Sequence, residues 1–392
     1  MKVCSHCFAQ NEDSVRFCPE CGKALAYDCP DHHLRPGTVL KGQYQLGAAI
    51  GEGGFGITYI ARDLQLNLTV AIKEFYPHDF VTRGSHTKNI TVLTRGHEIF
   101  RLGKKKFLEE AQILASLDEV SGIVDVIGFF EENNTAYIVM KYLRGETLKQ
   151  YLKRVGKISF LDAYRLLRPV MESLSKVHEM GMIHRDIAPD NIMLTKGGAK
   201  LLDFGAAHDV FSEDERSLSV MIKRGYSPFE LYARASQSNQ GPWTDVYALC
   251  ATLFHCIVGR APEEALIRLQ APDAPLSFDG VAVDPQIRAV LTKGLSVRPE
   301  QRFQSMRELI AALDGVVSTM IHPIPPAPAP PVGKAKSARI LRTVGIVLLV
   351  LAAILLGVLI YLQNTAPQET AAVLPALAQQ AAAGTGAPGM GA

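Results

Sequence analysis

Asp186 stands five residues before Asn191 in the stretch His184-Arg185-Asp186-Ile187-Ala188-Pro189-Asp190-Asn191, and Asp203 opens Asp203-Phe204-Gly205 twelve residues further on. A carboxylate, an amide oxygen and a second carboxylate in this order suit phosphoryl transfer. Asp186 would orient an attacking hydroxyl and accept its proton, while Asn191 and Asp203 would hold Mg²⁺ or Mn²⁺ between phosphates. Upstream, Ile50-Gly51-Glu52-Gly53-Gly54-Phe55-Gly56 fits G-x-G-x-x-G, with Thr58 just beyond. Strand-like runs flank these glycines where a dinucleotide loop would open a helix, so they read as a hairpin lid over ATP. Lys73, closing Val70-Ala71-Ile72-Lys73, is the candidate clamp on the α- and β-phosphates. Glu110, on a helical stretch, is its candidate orienting carboxylate, with Glu109 one residue away as the alternative.

A second chemistry lies at the other end of the chain. Cys4/Cys7 and Cys18/Cys21 form two C-x-x-C pairs separated by ten residues. Each pair presents two thiolates from one tight turn, and two turns complete a closed tetrahedral Zn²⁺ site. So short a unit has almost no core, which makes the metal its main source of folding free energy. Residues 1–35 hold four basic and five acidic side chains, and the whole chain carries 41 basic against 39 acidic residues, so no nucleic-acid partner is expected. Cys29, His32 and His33 read as linker, and Cys250 and Cys256 as small buried hydrophobes.

These groups need a scaffold of α+β class. Residues 40–314 alternate short strands with long amphipathic helices, and the stretch after Ser159 carries a capping pattern, helical periodicity and a stop at Gly181. The 36 residues between Lys73 and Glu110 leave room for an insertion around 82–96. Residues 322–338 contain six prolines and read as an extended spacer. The twenty uncharged residues 343–362 are long enough as a helix to span a bilayer core of about 30 Å. Lys334, Lys336, Arg339 and Arg342 precede that span and no basic residue follows it, so the N-terminal side is expected in the cytoplasm. The tail, 363–392, is expected outside and without a fold; no secretory signal is expected at the N-terminus.

Taken together, residues 44–313 resemble a bacterial serine/threonine protein kinase of the eukaryotic-like (Hanks) type, and residues 1–35 resemble a zinc ribbon. The resemblance implies a two-lobed fold, with a sheet-rich N-lobe at about 40–140 and a helical C-lobe at about 144–314. It implies ATP as co-substrate and Ser/Thr of proteins as acceptor, with a second copy of the chain a candidate partner for autophosphorylation. Met140 resembles the gatekeeper, and Lys141 to Leu143 the hinge that binds adenine. Glu230 is expected to pair with Arg302, and Asp245 resembles the buried helix Asp that supports the catalytic loop. Arg185 stands where such kinases receive an activation-segment phosphate, for which Ser212, Ser217 and Ser219 are candidates.

One departure bears on activity. Ala188 occupies the place where serine/threonine kinases carry a Lys near the transferred phosphate, and Lys223 occupies the place of the Thr that usually contacts the catalytic Asp. The two departures are complementary, so Lys223 is expected to reach over Ala188 and supply the cation. The rival reading, resting on Ala188, is a kinase fold without catalysis that serves as a membrane scaffold with the ribbon as docking module.

Overall fold

The computed structural model describes residues 1–85, 87–117, 120–204, 222–232, 239–272, 274–278, 280–321 and 349–361. At the N-terminus, β1 (Lys2–Val3) pairs antiparallel with β2 (Gln10–Asn11). The two cysteine turns repeat one geometry. Phe8 N–H donates to Cys4 O at 2.9 Å and Gly22 N–H to Cys18 O at 2.8 Å, and both Phe8 and Gly22 have positive φ, 62° and 68°. This tight reversal aims both sulfurs of each pair the same way.

The ribbon rests on the first long strand of the N-lobe. Ser5 O accepts from Ala48 N–H at 2.7 Å, and Tyr27 Oη accepts from Ala49 N–H at 3.1 Å. Gly47 permits this approach, because a Cβ there would collide with the Ser5 carbonyl oxygen. The register of that strand against its neighbour shifts between Leu46 and Ala49, where the ribbon takes up its backbone donors.

The N-lobe sheet has six strands in the order β3 (Val39–Leu40), β4 (Tyr44–Gly53), β5 (Gly56–Asp63), β6 (Leu68–Phe75), β10 (Thr135–Lys141) and β9 (Val126–Glu132). Gly53 pairs with Gly56, so the lid is the hairpin between β4 and β5. The insertion expected around 82–96 holds a small hairpin, β7 (Val81–Thr82) with β8 (Thr91–Val92), and leads into α1 (His97–Ala115). Phe75 meets Phe100 and Phe107 of α1 with ring centroids 5.4 Å apart in each case, which seats the helix beside β6.

In the C-lobe, α3 (Phe160–Glu179) packs against α4 (Pro242–Val258) and α7 (Met306–Ile321). Ser159 caps α3 by accepting from Asp162 N–H at 3.1 Å, while its hydroxyl bonds the Asp162 carboxylate at 2.6 Å. The chain leaves α3 through Gly181 at φ 76°. Cys250 and Cys256 are fully buried in α4, among its apolar side chains. The helix α7 continues to Ile321, past the expected end at 314. The ribbon and both lobes form one unit, Met1–Pro323.

In a second unit, Ile324–Ala392, residues 349–361 are helical and every one of them is exposed. Among the described residues no helix is long and apolar enough to cross a membrane. The proline-rich spacer 322–338, positions 343–348 and 362 of the expected span, and the tail lie outside the described residues.

Glu230 and Arg302 hold the base of the C-lobe. Arg302 Nη1 donates to Glu230 Oε1 at 2.6 Å and Nη2 to Oε2 at 3.0 Å, and both side chains are fully buried. Thr244 Oγ1 donates to Glu230 Oε1, and Arg302 also donates to the carbonyls of Trp243, Ser296 and Val297. Arg302→Leu strands a buried carboxylate, so unfolding free energy measured in urea is expected to fall by about 3–5 kcal/mol. A loss under about 1 kcal/mol, the scale of an exposed ion pair, would contradict this.

Candidate active site

Period-two alternation along β6 sends neighbouring side chains to opposite faces. Lys73 pairs with Thr58 on β5 and Ile138 on β10. Its Nζ lies 3.1 Å from Asp203 Oδ1. Glu110 is buried on α1, and its carboxylate is among the charges acting on Lys73. Burial alone would depress the Lys73 pKa; Asp203 and Glu110 outweigh it and hold the amine above its usual range. Burial likewise opposes ionisation of Asp203, but Lys73 keeps that carboxyl below the usual range. Glu109 faces away and pairs with Lys106 at 3.1 Å, so Glu110 is the inward carboxylate.

The catalytic loop is set by Asp245 on the first turn of α4. Its carboxylate accepts from the backbone N–H groups of His184 and Arg185 and meets His178 Nε2, each at 2.8 Å. Arg185 thereby holds φ 66°, a left-handed conformation costing a non-glycine residue about 1–2 kcal/mol. Its Nε donates to Gln240 Oε1 at 2.8 Å. His184 Nε2 contacts Leu202 O at 2.8 Å while Nδ1 accepts from Asp186 N–H at 3.2 Å, which puts the ring proton on Nε2. Burial holds His184 below the usual imidazole range, in agreement with a neutral ring.

Asn191 Nδ2 donates to Asp186 Oδ2 at 2.7 Å and to Asp186 O at 2.8 Å. Both partners are acceptors, so the amide orientation is forced and its oxygen remains available to a cation. That oxygen and the Asp203 carboxylate would offer a metal oxygen donors only, the chemistry that Mg²⁺ prefers.

Lys223 reaches this loop. Its Nζ lies 2.9 Å from Asp186 Oδ1 and 3.0 Å from Asp190 Oδ1, and Ala188 is buried. Burial opposes the charge on Lys223, but Asp186 and Asp190 hold its pKa above the usual range. Burial pushes the Asp186 carboxyl above its usual range, against the pull of Lys223. A raised pKa makes Asp186 a better proton acceptor.

At the nucleotide edge, Met140 is buried near the end of β10, Lys141 N–H donates to Asp125 O at 2.9 Å, and Leu143 is half-buried just beyond. The lid carries Ile50, Gly51, Glu52 and Gly53 on β4 and Gly56 and Thr58 on β5, with Gly54 and Phe55 between. A Cβ at Gly56 would meet the Glu74 carbonyl oxygen at 2.5 Å, so the strand tolerates no side chain there. Gly205, Ser212, Ser217 and Ser219 lie outside the described residues.

The four ribbon sulfurs gather at one point. Cys4 Sγ is 3.6 Å from Cys21 Sγ and Cys7 Sγ is 3.5 Å from Cys18 Sγ. All four lie within 4.8 Å of one another. A tetrahedral Zn²⁺ with bonds of about 2.3 Å separates its sulfurs by about 3.8 Å, so the cluster fits the metal with small adjustments. Burial resists ionisation of Cys18, yet the N–H groups of Cys21 and Glu20 bring its pKa to about 7. Cys29 Sγ instead faces the carbonyls of Pro30 and Leu34, outside the cluster.

Residues 44–309 match the protein kinase domain family, and residues 3–25 match the zinc-ribbon domain. The chain belongs to the protein kinase family. Serine/threonine-protein kinase PknA of Nostoc sp. is 29% identical over 292 residues, 71% of this chain and 48% of the relative. Serine/threonine-protein kinase B of Synechocystis sp. is 25% identical over 337 residues, 81% of this chain and 53% of the relative. The chain thus spans about half the length of these curated relatives. The solved structure described as the PpkA-294 apo form superposes with a TM-score of 0.63 at 33% identity, covering 72% of this chain and 99% of that one.

Three features escaped sequence reasoning. Asp190 is a second partner of Lys223, though an acidic residue one place before Asn191 was in plain view. Glu74, fully buried, pairs with Arg83 and accepts from Tyr59 Oη at 3.1 Å and Tyr137 Oη at 2.9 Å. Its signal was a carboxylate in an otherwise apolar strand. His32 and His33 from one stretch and His78 from another converge on Glu52, and no local pattern announces that.

Two outcomes follow from this geometry. Cys18→Ser leaves three thiolates, so zinc per chain measured by elemental analysis is expected to drop by one equivalent, with loss of ordered NMR signals from the ribbon. Lys223→Thr removes a cation beside the reacting groups, and kcat is expected to fall by roughly 10²-fold to 10³-fold, with much of the loss recovered on adding Ala188→Lys. Because Lys223 holds the Asp186 pKa down, the acid limb of the kcat profile should also move to higher pH in Lys223→Thr. An unmoved limb would mean that Lys223 acts on the fold and not on Asp186.

Proposed function

We propose that this protein is an active, membrane-anchored kinase that transfers the γ-phosphate of ATP to Ser or Thr hydroxyls of protein substrates. The observation that carries the activity is the placement of Lys223 Nζ 2.9 Å from Asp186, which offers a cation beside a catalytic loop that lacks one of its own. The scaffold reading rested on that lack.

In this reading the lid and Lys73 position the phosphates, and Asn191 and Asp203 hold Mg²⁺, which neutralises phosphate charge. The acceptor oxygen attacks γ-phosphorus as the bond to ADP breaks, the hydroxyl proton passes to Asp186, and Lys223 offsets charge growing on the γ-phosphoryl oxygens. Positioning and charge neutralisation supply the acceleration. Arg185 is a candidate acceptor of an activation-segment phosphate, and autophosphorylation, in cis or between two copies, belongs to the same proposal.

Anchoring rests on the sequence of 343–362, with its basic residues on one side only, and is supported by the helical, fully exposed course of 349–361. The cell membrane is the proposed location, with the ribbon and kinase domain in the cytoplasm and the tail outside.

The deciding assay compares the full chain with Asp186→Asn for transfer from labelled ATP and Mg²⁺ to a Ser/Thr protein acceptor. Labelling by the wild type alone is expected; equal labelling would remove the enzyme reading. For topology, a cysteine at Thr370 is expected to react with an impermeant thiol reagent on intact cells and one at Ser337 is not. The reverse pattern would place the kinase domain away from cytoplasmic ATP.

A further inference from the structure

Glu52, at the tip of the lid, draws side chains from two distant stretches. His32 Nε2 lies 2.8 Å from Glu52 Oε1, His78 Nε2 3.2 Å from the same oxygen, and His33 Nε2 3.0 Å from Oε2. His32 and His33 belong to the linker leaving the ribbon, and His78 follows β6. The ligand atoms of His32, Glu52 and His78 lie within 4.8 Å of one another. We propose that His32 Nε2, Glu52 Oε1 and His78 Nε2 form a second zinc site, separate from the four cysteines, that ties the lid to the ribbon's linker.

The donor set supports a borderline transition metal. Two imidazoles and a carboxylate suit Zn²⁺ and leave a fourth position for water, whereas Mg²⁺ prefers all-oxygen shells. Tetrahedral Zn²⁺ with bonds of about 2.0–2.1 Å holds its ligand atoms about 3.4 Å apart. His78 is within a few tenths of an ångström of that spacing, and His32 needs about half an ångström of opening. Both rings are partly exposed and can make it.

The surroundings are built to hold these ligands. His33 is buried, and its Nδ1 has no hydrogen-bond partner among the described residues. A proton on that nitrogen would be a buried donor without an acceptor, so the proton sits on Nε2 and is donated to Glu52 Oε2. That bond turns Oε1 toward His32 and His78, as an outer-sphere histidine orients a ligating carboxylate. The linker backbone is fixed as well: Arg83 Nη1 donates to His32 O at 2.7 Å, and Leu34 N–H donates to Tyr59 Oη at 3.0 Å. Arg83 and Tyr59 both end on the buried Glu74.

The consequence for the lid rests on the kinase reading. A nucleotide leaves when the lid lifts, and a metal bridging Glu52 to residues 32 and 78 opposes that movement.

The test uses the full chain equilibrated with buffered Zn²⁺ in the presence of Mg²⁺. Two zinc ions per chain are expected in the wild type and one in both His32→Ala and His78→Ala. The retained ion shows that the ribbon in those variants is still folded. Co²⁺ added to protein carrying only the ribbon zinc should give ligand-field bands without thiolate charge transfer, and His33→Ala should weaken this second site roughly 10-fold to 100-fold. One zinc per chain in the wild type, or two kept by both histidine variants, overturns the site and leaves hydrogen-bonded histidines only. These readouts do not depend on phosphotransfer, so an inactive enzyme would not disturb them. Release of a fluorescent ADP analogue should slow on filling the second site in the wild type and stay constant in His78→Ala; unchanged release in the wild type overturns the lid tether.

Discussion

A single carboxylate, that of Asp245, sets the geometry on which the catalytic loop depends. It is fully buried, and a buried charge costs several kcal/mol unless its lone pairs are well occupied. Two backbone N–H groups and one imidazole at 2.8 Å occupy them, and the first turn of α4 adds the favourable end of a helix dipole. Burial opposes its ionisation, yet His178 and the loop donors keep its pKa below the usual range. The same bonds offset the left-handed backbone of Arg185. That turn is what sends Asp186 toward Asn191 and Lys223.

The parts of this arrangement that were legible in the sequence are those whose chemistry is carried by neighbours along the chain. The spacing of Asp186, Asn191 and Asp203, the glycines of the lid and the paired cysteines each encode a local geometry; in the structure Asn191 meets Asp186, Lys73 meets Asp203 and the four sulfurs gather at one point. Lys223 was reachable because two substitutions at sites that meet in related folds compensate in charge. Glu52 is legible only as a lid residue, since its three histidine neighbours come from two other stretches and are joined to it by tertiary folding alone. Asp190 was passed over for the opposite reason: it sits among residues with stronger claims, and its role appears only once Lys223 is placed.

The N-lobe shows how one strand serves two purposes. Lys73 and Glu74 are adjacent on β6 and therefore face opposite sides of the sheet. Lys73 points to the nucleotide side. Glu74 anchors a buried group of Arg83, Tyr59 and Tyr137, and through Arg83 and Tyr59 it reaches the linker behind the ribbon. The ribbon also takes hydrogen bonds from Ala48 and Ala49 on β4. Its own hydrogen bonds thus fall on a strand of the lid, and the linker behind it reaches the strand of the phosphate clamp through Tyr59 and Arg83.

The position of Lys223 changes what a docked segment means. A cation rooted in the catalytic loop would be present whatever the neighbouring chain did. Lys223 instead sits at the start of a turn closed by Tyr226 and Ser227, whose N–H groups both donate to Lys223 O at 2.9 Å, with Lys223 N–H bonded to Ser227 Oγ at 3.0 Å. Its ammonium arrives at Asp186 only when that turn is in place. The charge beside Asp186 and the turn that carries it are therefore one unit, and displacing the turn takes the cation away with it.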